Sequence, residues 1–248
     1  MGMSEQKALV TGGSRGIGRA IALALAGQGY VVTIMGRSEK ALAQAVADGA
    51  ARKSLAVDVT DEAALRQAVT ESGPYHVLIN NAGAAASAPL AATDLALIRR
   101  MMAVNVESAF TASRAALPGM MKLGFGRIVN VASIAGLKGY AYVSAYCAAK
   151  HAVIGMTKAL AAELVKTKIT VNVLCPGYTD TDLIADAADI IAKKTGRAAA
   201  EAIDVFAKTN PSCRLITPEE VANAAVWLCS EGASAVTGQA ITIAGGDP

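Results

Sequence analysis

Residues 9–26 read LVTGGSRGIGRAIALALA: an apolar, β-branched start, glycines at 12, 13, 16 and 18, then an alanine- and leucine-rich stretch with helical spacing. This is the pattern of a strand, a glycine turn and a helix. Glycine allows a tight turn and a close backbone approach, and the helix start offers free N–H groups with a partial positive charge, which suits a pyrophosphate. Because the cluster sits between a strand and a helix, it reads as a dinucleotide-binding turn and not merely as a loop.

Working outward, short apolar runs recur at 7–10, 31–35, 54–59, 76–80, 127–133, 169–175 and 240–245, which predicts seven strands. Helical stretches are expected between them at 16–28, 39–48, 61–71, 94–122, 146–166 and 218–230. Strands alternating with helices, and apolar on both faces, predict parallel βαβ units with helices covering both sides of one sheet. Thr217, Pro218 and Glu220 form a capping box with proline at the first helical position, and Asp61 and Glu62 place negative charge in a first turn. One interval breaks the rhythm. From 178 to 216 the chain is only mildly helical, over 182–208, and an insertion of this length beyond a strand's carboxyl end is expected to be a substrate lid.

Composition narrows the function. With 248 residues, 53% hydrophobic and 17% charged, the chain can bury a core without disulfides, and one domain over 1–248 is expected. The net charge of +3 comes from scattered lysines and arginines, so no nucleic-acid or membrane partner is expected. Cysteines 147, 175, 213 and 229 form no CxxC pair, and His76 and His151 have no ligand spacing to them, so no metal is expected. The start of the chain has no apolar secretory segment, and no run approaches the roughly 18 apolar residues of a membrane span. A cytoplasmic protein acting on small molecules is the expectation.

The end of the second strand, IMGRSEK at 34–40, speaks to which dinucleotide binds. An NAD site usually presents an acid there, to accept hydrogen bonds from the ribose 2′-hydroxyl. Here no acid precedes Glu39, and Arg37 stands in its place, with Arg15 in the glycine turn. Two cations ahead of helix starts work slightly against the helix dipole, and a bound 2′-phosphate would offset that cost through charge-assisted hydrogen bonds. NADP(H) is therefore read ahead of NAD(H).

The stretch SAYCAAKH at 144–151 places Tyr146 and Lys150 four apart, on one face of a helix. Of the six tyrosines, only Tyr146 has a lysine at that distance, and Ser133 closes the fifth strand thirteen residues upstream. An isolated Tyr–Lys pair of this spacing usually only packs; its position beyond a dinucleotide turn gives it chemical meaning. Reducing a ketone requires a proton donor to the developing alkoxide, and a phenol with its usual pKa near 10 is a poor one. An ammonium within about 4–6 Å favours the phenolate, and lowering the phenol by about 3 units would take roughly 4 kcal/mol. Ser133 could hold the substrate oxygen.

These motifs together, TGGSRGIG (Thr11–Gly18), NNAG (Asn80–Gly83), VNV around Asn105, Ser133, YCAAK (Tyr146–Lys150) and PGYTDT (Pro176–Thr181), resemble the motif set of the short-chain dehydrogenase/reductase family, in order and over nearly the whole chain. The resemblance implies a single Rossmann-type, doubly wound, seven-stranded parallel sheet, assembled as a homotetramer or homodimer. It implies Tyr146 as general acid/base, Lys150 holding the nicotinamide ribose and lowering the tyrosine's pKa, Ser133 orienting the substrate oxygen and Asn105 supporting a water chain to Lys150. It implies cofactor contacts from Gly12, Ser14, Arg15, Gly16, Ile17 and Gly18 at the pyrophosphate and from Arg37 near the ribose. Asp58 and Val59 flank the adenine, Asn81, Ala82 and Gly83 border the nucleotide, and Pro176, Gly177, Thr179 and Thr181 approach the nicotinamide end. The segment ADGAARKS between the second and third strands is shorter than in many relatives.

The expected function is NADP-dependent interconversion of a ketone and a secondary alcohol, with 3-oxoacyl thioesters as the favoured substrates. The alternatives are a secondary alcohol, sugar or polyol dehydrogenase of the same family, a lyase or epimerase, and a nucleotide-sensing regulator without turnover. Cys147 is read as packing, and His151 as a helix-surface or interface residue. Lys193, Lys194 and Arg197 on the expected lid are three cations that could meet a phosphate-bearing thioester.

Overall fold

The computed structural model describes residues 5–195 and 198–247, the side chains of 190 and 193–195 excepted; Lys193, Lys194 and Arg197 therefore lie outside the described side chains. Seven parallel strands form one sheet in the order β3-β2-β1-β4-β5-β6-β7. They are β1 (Lys7–Thr11), β2 (Val31–Gly36), β3 (Lys53–Ala56), β4 (Val77–Asn80), β5 (Gly126–Val131), β6 (Ile169–Pro176) and β7 (Ala240–Ile243). This is the doubly wound, Rossmann-like arrangement expected from the alternating runs.

Period-2 side-chain alternation divides each strand between two helical layers. On one face Ala8, Val10, Ile34, Ile79 and Val129 pack with α1 (Gly16–Gly27), α2 (Glu39–Ala47) and α9 (Pro218–Cys229). On the other, Leu9, Met35, Leu78 and Ile128 meet α3 (Glu62–Ser72), α5 (Ser108–Leu123) and α6 (Ser144–Leu164). Burial on both faces is why the strands appear in the sequence as unbroken apolar runs.

The order reverses between β1 and β4, the place where open α/β sheets leave a crevice at the strands' carboxyl ends. Two expectations about length change. β3 stops at Ala56 rather than 59, because Val57, whose N–H still donates to the Gly36 carbonyl, begins the turn that Asp58 closes. The stretch 94–122 is not one helix: α4 (Leu95–Met102) passes into a π-helical turn (Ala103–Glu107) before α5 begins.

The interval after β6 contains two helices, α7 (Asp182–Thr195) and α8 (Ala199–Thr209). The capping box of α9 forms as read: Glu220 N donates to Thr217 Oγ1 and Thr217 N to the Glu220 carboxylate, at 3.3 and 2.8 Å. Among the described residues, no helix is long and apolar enough to cross a membrane.

Candidate active site

The predicted residues gather beyond the carboxyl ends of the strands. Gly12 and Gly16 hold φ of 65° and 51°, which side-chain-bearing residues rarely adopt, so the turn after β1 depends on glycine. A Cβ at Gly18 would collide with the Gly12 carbonyl oxygen and the Asn81 amide. Asn81 Nδ2 donates to the Thr11 and Gly12 carbonyls at 3.0 and 3.1 Å, while Thr11 Oγ1 accepts from Asn81 N and Ala82 N. The Asn81 side chain is thus spent on locking the glycine turn to the loop after β4. Ser14 and Ile17 are half-buried along the same turn.

Arg37 follows β2, exposed and free of ion pairs within 4 Å among the described residues, ahead of Ser38, which caps α2 by accepting from Ala41 N. Beside it, Asp58 has its pKa lowered, first by the Thr60 N–H, then by the Thr60 hydroxyl, and least by the charge of Arg37. Val59 is buried next to it. Arg15 faces elsewhere than its predicted phosphate contact alone suggests: Nη1 lies 3.6 Å from Asp182 Oδ2, joining the glycine turn to the first residue of α7. Both side chains are more than 60% exposed, so this pair contributes little stability and leaves the guanidinium easily redirected.

Ser133 follows β5 and caps a short 3-10 turn, its Oγ accepting from Ala135 N at 3.1 Å. Tyr146 and Lys150 lie one turn apart on α6, with Lys150 Nζ 5.6 Å from the Tyr146 ring centre. Lys150 is buried, and Nζ donates to the Val131 carbonyl at 3.0 Å. Asn105 occupies the π turn, which aims its amide inward: Nδ2 donates to the Ala84 and Met101 carbonyls, both at 3.0 Å. A Cβ on Gly83 would lie 2.7 Å from Asn105 Oδ1 and 3.5 Å from Lys150 Nζ, so the NNAG backbone, Asn105 and Lys150 meet at one point.

The electrostatics depart from the expectation. Burial raises the Tyr146 pKa to about 12, and the Ser133 hydroxyl beside it lowers it only in part. Burial also lowers Lys150 to about 8, so desolvation moves both groups toward their neutral forms.

Pro176 ends β6, and Gly177 leads into the α7–α8 excursion. Thr179 Oγ1 donates to the Gly177 carbonyl, and Thr181 Oγ1 to that of Thr179, so both hydroxyls are used locally. The fully buried Asn210 closes the excursion at its base: its Oδ1 accepts from Tyr178 N at 3.1 Å and its Nδ2 donates to the Tyr178 and Arg214 carbonyls. Tyr178 stacks on Phe206 of α8 with ring centres 5.1 Å apart.

Three supporting sets went unread in the sequence. Asn210 is one. Another lies beneath the site, where Asn80 Nδ2 donates to Asn130 Oδ1 and Asn130 Nδ2 to Thr157 Oγ1, both at 2.8 Å, which ties β4 and β5 to α6, the helix that carries Tyr146. An asparagine inside the apolar run RIVNV was the available signal. The third is Asp247, buried near the chain's end, which pairs with Lys138 and accepts from Tyr140 in the loop before α6.

Residues 6–190 match the family model described as short chain dehydrogenase. The 3-oxoacyl-[acyl-carrier-protein] reductase of Escherichia coli (strain K12) is 36% identical over 252 residues, covering 99% of this chain and 98% of that protein. The D-beta-hydroxybutyrate dehydrogenase of Cupriavidus necator is 36% identical over 255 residues, covering 98% of each. Among solved structures, a tryptophan variant of actinorhodin polyketide ketoreductase with NADPH superposes with a TM-score of 0.90 at 35% identity, covering 98% of this chain and 97% of that one.

Proposed function

This chain belongs to the short chain dehydrogenase family, and from that premise we propose that it is an NADP-dependent oxidoreductase interconverting a ketone and a secondary alcohol, with 3-oxoacyl thioesters as its substrates. The observation that carries the reading is the meeting of Ser133, Tyr146 and a buried Lys150 at the crevice beside the glycine turn.

When bound, NADP(H) supplies the hydride and, in its oxidised form, a positive ring charge. Arg37 and Arg15 would hold its 2′-phosphate, and the backbone from Gly12 to Gly18 its pyrophosphate. Ser133 Oγ holds the substrate oxygen. Tyr146 Oη donates its proton to that oxygen as alkoxide character develops, and takes it back in oxidation. A phenol raised to about 12 is fully protonated at neutral pH, which suits the reductive direction. Lys150, anchored by the Val131 carbonyl, holds its ammonium beside the ring, and Asn105, which meets Gly83 as Lys150 does, would support a chain of water leading to it. The excursion over 178–216 is the proposed lid, closing over the substrate to exclude water.

Assembly as a homotetramer or homodimer is proposed through α4 and α5, where Leu95, Phe110 and Met121 are 65%, 46% and 51% exposed. The four cysteines are free thiols, which fits a reducing, cytoplasmic setting.

NADPH consumption with acetoacetyl-CoA, a free 3-oxo acid, simple ketones and sugars tests the assignment. The thioester is expected to give the highest kcat/KM. A free acid or sugar that surpasses it would overturn the substrate class, and the absence of NADPH turnover with every substrate would overturn the activity.

A further inference from the structure

The sheet has a second chemically equipped edge. At the amino-terminal ends of β5 and β6, opposite the crevice, lies a cavity of about 400 Å³ whose lining includes Phe125, Arg127, Lys168, Thr170, Glu231 and Ser234. Arg127 and Thr170 are register partners on adjacent strands, so their side chains leave the same face of the sheet side by side.

Arg127 is an anomaly within this fold. It is 3% exposed, and among the described residues it makes no ion pair. The guanidinium stacks 4.3 Å over the Phe125 ring, and Nη1 donates to the Gly126 and Lys168 carbonyls. Among the described residues its Nε has no hydrogen-bond partner, and neither does Thr170 Oγ1, which is likewise buried. Buried charges are ordinarily paired and buried donors ordinarily satisfied. Two neighbouring exceptions, on residues lining one cavity that Lys168 and Ser234 also line, describe a site that lacks an anion.

We propose that this cavity binds a tetrahedral oxyanion of the phosphate class. The residues that can donate come from different segments, Arg127 and Thr170 from adjacent strands, Lys168 from just before β6 and Ser234 from beyond α9, which suits an anion that accepts from several directions. Neither unpartnered atom reaches water as placed, so seating the anion requires the guanidinium to turn toward the cavity it already lines. Glu231 is the one carboxylate among the lining residues. It already acts on Arg127 through space without pairing with it, and it competes with the ligand for the same cation. The site is remote from the crevice and takes no part in the proton transfer proposed above.

Equilibrium dialysis with inorganic phosphate, on protein saturated with NADP+ and at constant ionic strength in chloride, tests this. One phosphate per chain is expected, with acetate a much weaker competitor. Thr170→Val should weaken phosphate binding by about tenfold and Glu231→Gln tighten it a few-fold, on the order of one charge-assisted hydrogen bond and one removed repulsion. Arg127→Lys should weaken it further. Should that variant fail to fold, the other two still locate the site, since neither touches the dinucleotide residues. Absence of saturable phosphate binding, or binding unmoved by both Thr170→Val and Glu231→Gln, overturns the proposal, and acetate competing as well as phosphate does overturns the ligand class.

Discussion

The Tyr140 hydroxyl donates to the Asp247 carboxylate at 2.9 Å, which fastens the loop between Ser133 and Tyr146 to the far end of the chain. Lys138 pairs with the same carboxylate, and the loop's other side is held where Ala88 N donates to the Tyr142 carbonyl at 2.7 Å. Tyr142 sits at φ 67°, a left-handed conformation uncommon for a bulky residue, so the loop's course depends on these anchors. Asp247→Ala is expected to lower stability by about 1 kcal/mol, the loss of one hydrogen bond and one ion pair whose half-exposed partners can turn to water. It should reduce kcat several-fold by loosening Tyr146 while leaving the NADPH Kd near its original value. Denaturant titration and steady-state kinetics check both, and Asp247→Asn, which keeps an acceptor for Tyr140, should recover part of the loss.

Tyr146→Phe removes only the hydroxyl from a half-buried ring. Loss of a general acid costs roughly 10²–10⁴ in rate, so ketone reduction should fall into that range while NADPH binding changes less than about twofold. Fluorescence titration of the cofactor beside turnover measurements separates the two. A comparable loss of binding would make the residue structural.

Arg37→Asp exchanges an unpaired cation for an anion at the end of β2. Charge-assisted hydrogen bonds are worth about 1.5–3 kcal/mol, so the ratio of kcat/KM for NADPH over NADH should drop by about 100-fold. An unchanged ratio would remove Arg37 from the 2′-phosphate site and leave Arg15 as the candidate.

Burial of Lys150 has a signature in the pH dependence of stability. Its folded pKa of about 8 lies below the ordinary lysine value of 10.5, so the unfolded chain binds more protons between those two values and stability rises with pH across them. The penalty is fully present below pH about 8 and fully relieved above the unfolded value, and it amounts to about 3 kcal/mol. Lys150→Met should therefore flatten the gain in unfolding free energy that the parent shows between pH 8 and 10. A variant that keeps the parent's slope would show the ammonium to be better solvated than its surroundings imply.

Proton transfer adds a kinetic counterpart. With the Tyr146 phenol raised by burial, alcohol oxidation, which needs the phenolate as base, should speed up with pH through the alkaline range, while ketone reduction is already supplied with its acid at neutral pH. Opposed pH profiles for the two directions, measured on one alcohol–ketone pair, check this.

The sheet was legible because parallel strands covered on both faces leave continuous apolar runs, and the glycine turn because its backbone has few chemical substitutes. Tyr146, Lys150 and Ser133 could be picked out by spacing and by their place after strands. What spacing cannot convey is burial, and for that reason the raised tyrosine and lowered lysine escaped it. Contacts distant in the chain were equally silent: Asp247 meets Tyr140 across 107 residues, and Asn210 meets Tyr178 across 32. The Arg15–Asp182 pair depends on where α7 begins in space, which no local pattern encodes.

The π turn at Ala103–Glu107 carries one more consequence. A π turn takes up one residue more than an α turn, so removing a single residue from it would let α4 run into α5 as plain α-helix. Asn105 would lose the wide turn that brings its amide to the Met101 and Ala84 carbonyls, while the helices on either side would keep their course. The inward amide is what the extra residue provides, and a length change in this segment reaches the site before it reaches the outer faces of the two helices.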